Sequence, residues 1–459
     1  MKRSRLFFVL NICMILSLLL AACGSKAKPT ATQPPMAKAT EVQPTVAKPT
    51  EAKPAEGTKL LRVWITWGDN PAQLQELFDK YTALTGIKVE VTAPVETDKI
   101  LPALTGSEPP DILILGGGDL VKSYAKENLV DELTSAIKTG GINMDDLFSA
   151  PLIQCKQGDK IYCLPWGTDL YALYWNKDMF EAAGLDPEVP PKTMEELAEF
   201  ADKLTIVKDG TIEQIGFIPD SAWSHSDLYV RMFGGFWYSD DGTQLTVNSQ
   251  AMIDSLTWQQ QFYTKYGAEK VLEFTTSSSD NYMSADHPFY AGKLAMYVDG
   301  EWQLGPNFMR AIAPELNFGV VSFPPPAAHP ERAGTIVNSG TAVAIPSGAK
   351  DKDASAKLLA WMMSPDIVAE EMCVNANLPT SKKAAENSCY TSIPKFNIFL
   401  DMMFTKNAYA LITTPLSLEL SDAMGQAEQR ILQTGTDPKT ELDAIQAEFE
   451  PKLKDALIP

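Results

Sequence analysis

The chain has 459 residues, of which 45% are hydrophobic and 21% charged. This is an ordinary globular composition on a chain too long for one typical core, so it predicts two lobes and excludes a disordered or multi-spanning protein. The formal net charge of −19 would repel a phosphate backbone, and no basic face with interleaved aromatic residues is visible, which excludes nucleic acid as a partner.

The N-terminus has the pattern of a secretory signal peptide. Three basic residues precede an apolar run from Leu6 to Leu20, which is shorter than the roughly 20 residues of a membrane span. The following Leu-Ala-Ala-Cys resembles the bacterial lipobox, which implies cleavage after residue 22 and a lipid such as palmitate on Cys23. We therefore expect an extracytoplasmic lipoprotein that is anchored to the cell membrane through this lipid only.

Residues 23–58 form a low-complexity segment of Pro, Thr, Ala, Lys and Glu that has nothing to bury in a core. Such a segment is typical of an extended tether, partly in polyproline conformation, and at ~3.1 Å per residue it could reach about 100 Å from the membrane.

Ordered structure is predicted to begin with the apolar run Leu60 to Trp67, which is typical of a buried parallel strand. A helix with Pro71 in its first turn, a strand over 87–91, a short helix over 98–104 and a strand over 111–115 follow. This alternation predicts a doubly wound sheet, in which ligands bind beyond the carboxyl ends of the strands. The candidate ligand-binding residues at these ends are Trp67, Asp69 and Asp119.

The glycine triplet at 116–118 lacks the spacing and the Lys-Ser pair of a phosphate loop, so it predicts a tight turn open to a ligand or to close backbone approach. Asp119 either contacts the ligand or caps the helix that follows it.

Four cysteines remain in the mature chain, an even number that favours disulfides outside the cytosol. Cys155 and Cys163 flank a predicted hairpin turn at Gly158, and we expect them to pair, with Cys373 pairing with Cys389. The sequence does not fix this connectivity. A Cys/His metal site is disfavoured, because no Cys-x-x-Cys is present and the three histidines are scattered.

The stretch from Asp159 to Phe180 contains two apolar, aromatic runs that are interrupted at 165–169 by a proline and a glycine. Such a break inside one buried strand would be costly, so it predicts a chain that leaves one sheet and enters another. Ligand clefts form preferentially at such junctions, which makes Trp166 and Asp169 candidate binding residues.

The run from Lys160 to Thr205 resembles the family 1 extracellular solute-binding proteins of bacterial ABC importers, the relatives of maltodextrin-binding protein. The motif carrying the resemblance is Tyr174, Asn176, Lys177, Asp178 and Phe180, followed by a Pro-Lys-Thr that opens an acidic helix. The resemblance covers 59–459. It implies an α/β, two-lobed type II periplasmic-binding-protein fold with mixed sheets, flanking helices and three hinge crossings.

The resemblance also implies a function: a monomer that captures a carbohydrate between its lobes and delivers it to ABC transporter permease subunits, with no cofactor or metal. The turn at Asp299-Gly300 is then the second passage between the lobes, with Trp302 stacking on sugar. A third passage at 336–346 offers Ser339 and Gly340, and Trp223, in a polar aromatic loop, is a further candidate. The expected lobes are 59–168 plus 302–338, and 169–301 plus 339–459.

No nucleophile or metalloprotease motif is present, so we do not predict an enzyme. Binding a sugar needs only acceptors for hydroxyls and flat rings for its C–H faces. The alternative from another class is a surface lipoprotein that acts as a glycoside hydrolase or as a ligand sensor. The glycine triplet departs from the bulkier residues that maltodextrin binders carry there, which argues against malto-oligosaccharide as the sugar.

Overall fold

A computed structural model of the chain describes residues 59–68, 71–220, 226–276, 281–410 and 412–457. The signal peptide, Cys23 and the tether predicted over 23–58 lie outside the described residues, as do Asp69 and Trp223. Within the described ranges, none of the helices combines the length and the apolar character that a membrane span needs.

The first of two five-stranded sheets is built around the strand Leu60–Ile65, and its neighbours on both sides run parallel to it. One neighbour, Ile112–Leu115, is buried along its whole length, as its unbroken apolar sequence predicts. The strands and helices predicted up to residue 115 are therefore confirmed. Across this sheet the order is Lys88–Thr92, Leu60–Ile65, Ile112–Leu115, Ala342–Ala344 and Leu164–Pro165.

The second sheet is built around Tyr171–Asn176, which pairs in antiparallel fashion with a strand on each side. Every residue of this strand except Tyr171 is buried, because helices cover the sheet. Across the second sheet the order is Phe318–Ser322, Tyr171–Asn176, Leu294–Gly300, Thr211–Phe217 and Ile206–Lys208. We call the parts of the chain built on the two sheets the first lobe and the second lobe.

The helices begin and end where local signals allow. Thr193 caps the helix Met194–Leu204 by accepting a hydrogen bond from the Glu196 backbone N–H, as its position before two acidic residues predicts. The α-helices within the described ranges are Pro71–Thr85, Ile100–Thr105, Asp119–Lys126, Thr134–Gly140, Ser149–Ile153, Lys177–Ala182, Met194–Leu204, Ser226–Met232, Gln250–Tyr266, Ala268–Thr276, Met309–Ile312, Lys352–Met362, Pro365–Val374, Lys382–Ala385, Asn397–Met403, Ser417–Thr434 and Pro438–Ala456.

Three crossings connect the lobes. The chain leaves the first sheet at Pro165 and joins the second at Tyr171, as the break in this stretch predicts. It returns between Ser322 and Ala342, and it crosses again along Leu378–Pro379, which pairs with Gly167–Thr168 of the first crossing. An isolated bridge between Asp169 and Ser339 joins the first crossing to the second. The crossings therefore form one hydrogen-bonded hinge.

The predicted lobe boundaries differ from these pairings. Phe318–Ser322, expected in the first lobe, pairs with Tyr171–Asn176 of the second sheet, and Ala342–Ala344, expected in the second lobe, pairs with the first sheet. Asp299 and Gly300, expected to be a turn and a passage between the lobes, are instead the last residues of the strand Leu294–Gly300, and the next strand of the chain, Phe318–Ser322, lies in the same sheet. Short apolar strands carry no sequence signal for the sheet that they join.

Both predicted disulfides are formed, Cys155 with Cys163 and Cys373 with Cys389. The first one closes a hairpin in which Lys156–Gln157 pairs with Lys160–Ile161. Gly158 turns this hairpin with a positive φ of 59°, which glycine adopts without strain.

Candidate functional site

A cavity of about 820 Å³ lies at the hinge, where the carboxyl ends of the first-sheet strands face the second lobe. Residues from the first lobe, the second lobe and all three crossings line it, so it has the position of an interlobe cleft. The lining consists of Thr66, Trp67, Thr97, Leu115, Gly116, Gly117, Leu120, Asp169, Tyr171, Tyr282, Met283, Trp302, Phe308, Ser339, Thr341, Asn377 and Leu418.

One side of the cavity, which we call the first wall, is formed by Thr66, Trp67, Gly116 and Gly117 of the first lobe. The Thr66 hydroxyl accepts a hydrogen bond from the Gly116 backbone N–H at 2.9 Å, which joins the ends of two parallel strands. The indole Nε1 of Trp67 is buried and has no hydrogen-bond partner among the described residues. The wall therefore contains a buried donor that no described residue satisfies.

The opposite side, which we call the second wall, is formed by Asp169, Tyr171, Tyr282 and Trp302. Trp302 stands edge to face with Tyr171, their ring centroids 5.9 Å apart. The Trp302 Nε1–H donates to the Tyr282 hydroxyl at 2.7 Å. These rings supply the flat surfaces that the C–H faces of a sugar require.

Among the described lining residues, Asp169 is the one acid, and its charge acts on the buried Glu301. Glu301 is fully buried and accepts backbone hydrogen bonds from Leu170 at 3.0 Å and Leu378 at 3.4 Å, so it joins the first crossing to the third. Burial raises the pKa of Asp169 to about 6. Burial and the charge of Asp169 raise the pKa of Glu301 well above its usual value, so Asp169 carries most of the negative charge of the pair.

Ser339 and Gly340 lie in the second crossing, against the first. The Ser339 carbonyl accepts hydrogen bonds from the Asp169 backbone N–H at 3.2 Å and the Thr168 hydroxyl at 2.7 Å, and the residue lines the cavity. Gly340 is buried at a φ of 122°, and a Cβ there would lie 2.5 Å from the Thr168 Cα. A glycine is therefore required for the two crossings to approach each other.

Trp166 does not line the cavity. It is fully buried in the core, 6.5 Å from the Phe78 ring, and its Nε1–H donates to the Met362 carbonyl at 3.2 Å. Its ring and its donor are both engaged within the protein, so we leave it out of the candidate site. Asp119 begins the helix Asp119–Lys126, two residues beyond the lining Gly117, and only its backbone is described.

Several lining residues were not predicted from the sequence. Tyr282 lies in the polar stretch Ser-Asp-Asn-Tyr-Met-Ser, where an isolated aromatic residue is the same signal that singled out Trp223. Asn377 is brought to the cavity by the third crossing, and the sequence of its loop contains no pattern that indicates a binding residue. Tyr171 was read only as part of a strand.

Residues 66–369 match the family model of the bacterial extracellular solute-binding proteins. The chain belongs to this family. Homologues in the family are binding proteins of transporters, which fits the absence of a catalytic motif in the sequence. The match spans both sheets, from the end of Leu60–Ile65 to the helix Pro365–Val374.

Among curated relatives, the sn-glycerol-3-phosphate-binding periplasmic protein UgpB of Escherichia coli O6:K15:H31 (strain 536 / UPEC) is 26% identical over 326 residues. This alignment covers 66% of the chain and 69% of the relative. UgpB of Escherichia coli strain K12 is 26% identical over 300 residues, which are 61% of the chain and 63% of that protein.

Solved structures with this fold include CpMnBP1 with mannotriose bound, which is 28% identical with a TM-score of 0.76 and covers 85% of this chain and 99% of that one. The sugar-binding protein MalE of Xanthomonas citri, at 16% identity and a TM-score of 0.70, shares the fold over 86% of this chain and 98% of its own. The two-lobed α/β fold predicted from the sequence is confirmed.

Proposed function

We propose that the chain is an extracytoplasmic, lipid-anchored binding protein that captures an uncharged oligosaccharide in its interlobe cavity and delivers it to the permease of an ABC importer. The observation that carries this proposal is the second wall, where Tyr171, Tyr282 and Trp302 stand beside the acceptor Asp169. Rings for the C–H faces and a carboxylate for the hydroxyls are the chemistry of a neutral sugar site.

The two groups of similar proteins suggest different ligands, a glycerol phosphate for UgpB and a mannose oligosaccharide for CpMnBP1. A phosphate group needs Arg, Lys or oriented backbone N–H groups. Of the described residues that line this cavity none is Lys, Arg or His, whereas Asp169 faces it and the carboxyls of Asp299 and Glu301 lie behind. The negative charge on Asp169 would repel a phosphate there, which favours the neutral sugar.

Among the described residues that line the cavity, Asp169 is the one that carries a carboxyl. Glycoside hydrolysis requires two, placed on either side of the scissile bond. Glu301 and Asp299 have no exposed surface and are held by backbone and side-chain donors, so they have no path to a bound sugar. We therefore propose that ligand is bound and released without turnover.

Isothermal titration of the mature protein with mannotriose, mannobiose and sn-glycerol 3-phosphate tests this proposal. We expect saturable, micromolar binding of a mannose oligosaccharide, about −8 kcal/mol, and no measurable binding of the phosphate. Chromatography of the mixture after prolonged incubation should show the sugar intact. Tighter binding of the phosphate, or appearance of shorter sugars, would contradict the proposal.

The anchor is a separate part of the proposal. Expression of the full chain with labelled palmitate should label the wild type and not Cys23→Ala, and the variant should appear in the soluble extracytoplasmic fraction. A label that persists in Cys23→Ala would show that the lipid is attached elsewhere.

A further inference from the structure

The hydroxyl of Tyr282 is the centre of a hydrogen-bond cluster directly behind the second wall. It accepts from the Trp302 Nε1–H at 2.7 Å and from the Gln303 Nε2–H at 2.9 Å. It donates to Asp299, whose two oxygens both lie 3.0 Å away. A tyrosine hydroxyl has one hydrogen to donate and two lone pairs, so all of its hydrogen-bonding capacity is used here.

The carboxylate of Asp299 is itself held by several hydrogen bonds. It is fully buried at the end of the strand Leu294–Gly300 and accepts from the Gly300 backbone N–H at 2.7 Å and the Gln303 Nε2–H at 2.9 Å. Gln303 in turn accepts a hydrogen bond from the Tyr290 hydroxyl. The indole of Trp302 is thus the outer end of a polar network that reaches into the interior of the second lobe, where such networks rigidify their members.

The ring of Trp302 is also fixed sterically. A Cβ added at Gly300 would lie 2.1 Å from the Trp302 ring, so the indole lies directly against the glycine backbone. Tyr171 packs against the indole at 85° on another side. Only a glycine at 300 lets the ring reach this position, and its hydrogen bond to Tyr282 sets its rotation.

We propose that Tyr282 is a positioning residue, whose hydroxyl, oriented by Asp299 and Gln303, holds the Trp302 indole as a preorganised platform for the sugar. The role of the platform rests on the proposed function, whereas the positioning itself rests on the hydrogen bonds and the close contact with Gly300. A ring that is fixed before the ligand arrives loses no further rotational freedom on binding, and affinity gains accordingly.

The first experiment needs no ligand. The Nε1–H signal of Trp302 in protein labelled with ¹⁵N-tryptophan, assigned by its absence in Trp302→Phe, reports the hydrogen bond directly. Tyr282→Phe should shift this signal upfield and broaden it. The matched control is Tyr297→Phe. Tyr297 lies on Leu294–Gly300, the strand that also carries Asp299, and its hydroxyl is buried and without a partner among the described residues. An unchanged signal in Tyr282→Phe would overturn the proposal.

The second experiment measures mannotriose affinity. Tyr282→Phe should weaken it about fivefold, and this loss should shrink in a Trp302→Ala background, because Tyr282 acts through the indole. Losses that add in the double variant would mean that the Tyr282 hydroxyl acts on the sugar directly and not through the indole, which would overturn the positioning role.

A steric variant gives an independent route to the same answer. Gly300→Ala displaces the indole and leaves the Tyr282 hydroxyl in place, so it too should weaken mannotriose binding about fivefold or more. Its matched control is Gly319→Ala, where a Cβ would lie 2.0 Å from the Trp175 ring in the same sheet, away from the cavity. If Gly300→Ala and Gly319→Ala weakened mannotriose binding equally, the result would contradict the role of the fixed Trp302 indole.

The two proposals fail in different ways. If the wild type binds none of the sugars but the Trp302 signal responds to Tyr282→Phe, the proposed function fails and the positioning role stands. If mannotriose binds and the Trp302 signal does not respond, the positioning role alone fails. Thermal unfolding of each variant confirms that it is folded before either result is read.

Discussion

The two walls of the cavity are built in different ways. The second wall is fixed by its own contacts, since the polar groups of Trp302 and Tyr282 are satisfied inside the protein. The first wall is formed by strand ends and glycines, and the Trp67 Nε1 has no partner among the residues that the structure describes. The rings of the second wall are held in place without a ligand, whereas the first wall contains a buried donor that no described residue satisfies.

This difference separates the two contributions to affinity. A preorganised surface contributes binding free energy through the contact area of its rings, and it loses little conformational entropy when the ligand binds. A wall with an unpaired buried donor gains from the hydrogen bond that closure supplies, about 1 kcal/mol net for a neutral pair. We therefore expect the second wall to contribute most of the binding free energy and the first wall to add a smaller share.

The largest expected effect is the loss of the platform. Trp302→Ala should weaken mannotriose binding by about tenfold to a hundredfold, roughly 1.4 to 2.8 kcal/mol, because the indole is the central aromatic anchor of the site. Titration calorimetry measures this loss. Trp361→Ala on the outer helix Lys352–Met362 is the control, since Trp361 packs against the core and does not line the cavity. Unchanged affinity in Trp302→Ala would remove the second wall from the binding surface.

The parts of this site that could be predicted are those whose structure is determined by residues close to them in the sequence. Pro165 and Gly167 interrupt an apolar stretch, so the first crossing and the position of Asp169 follow from the residues nearby. The buried Ile-Leu-Ile-Leu strand and the local Cys155–Cys163 pairing are of the same kind.

The parts that could not be predicted depend on distant partners. Trp166 has the composition of a ligand-facing residue, but a carbonyl 196 positions away takes its N–H and Phe78 packs against its ring. Tyr282 becomes part of the site only because Asp299 and Trp302 fold against it. The span 302–338, expected in the first lobe, contains the strand Phe318–Ser322, which pairs with Tyr171–Asn176 of the second sheet.

The second expected effect is a pH dependence of the acceptor in the second wall. Burial raises the pKa of Asp169 to about 6, so only about one tenth of it remains ionised at pH 5. If the carboxylate accepts sugar hydroxyls, affinity should fall by up to about tenfold between pH 7 and pH 5. Among the described residues, the titratable groups that interact with the Asp169 charge are Glu301 and Tyr171. Asp169→Asn should bind weakly with a flat pH profile, and a flat profile in the wild type would contradict this role.

The same raised pKa has the opposite sign for folding. A carboxyl whose pKa is raised in the folded state favours folding below its unfolded pKa, and this contribution is lost as pH rises through the folded value. For Asp169 and Asp299, whose pKa values are raised to about 6 and about 7, the window is about pH 4 to 7. The unliganded protein should therefore melt at a higher temperature at pH 5 than at pH 8, while it binds sugar less tightly.

The third effect tests the first wall. Trp67→Phe keeps an aromatic ring and removes an Nε1–H that has no partner among the described residues. If a bound sugar accepts from this group, the variant should weaken binding only about threefold to fivefold, the loss of one neutral hydrogen bond. Calorimetry with the same sugar measures the change. A loss as large as that of Trp302→Ala would show that the two walls contribute equally and would break the comparison.

The smallest expected effect on binding comes from removing the Cys155–Cys163 disulfide, which lies next to the first wall. Gln154, adjacent to Cys155, accepts a hydrogen bond from the Gly118 backbone N–H at 3.2 Å, and the Cys155–Cys163 disulfide fixes the hairpin that holds it. Removing this bridge with a pair of serines should lower the free energy of unfolding by about 2.5 kcal/mol in the chain-entropy model.

Its effect on affinity should be no more than about twofold, because the strand ends of the first wall stay joined through Thr66 and Gly116. Removal of Cys373–Cys389 is the comparison, with a loss of stability of about 3 kcal/mol. The loop that this bridge closes contains Asn377 and the third crossing, so its removal tests that side of the cavity and not the first wall. If the first pair of serines weakened binding as much as Trp302→Ala, the glycine turn would be a rigid part of the site rather than a surface completed by the ligand.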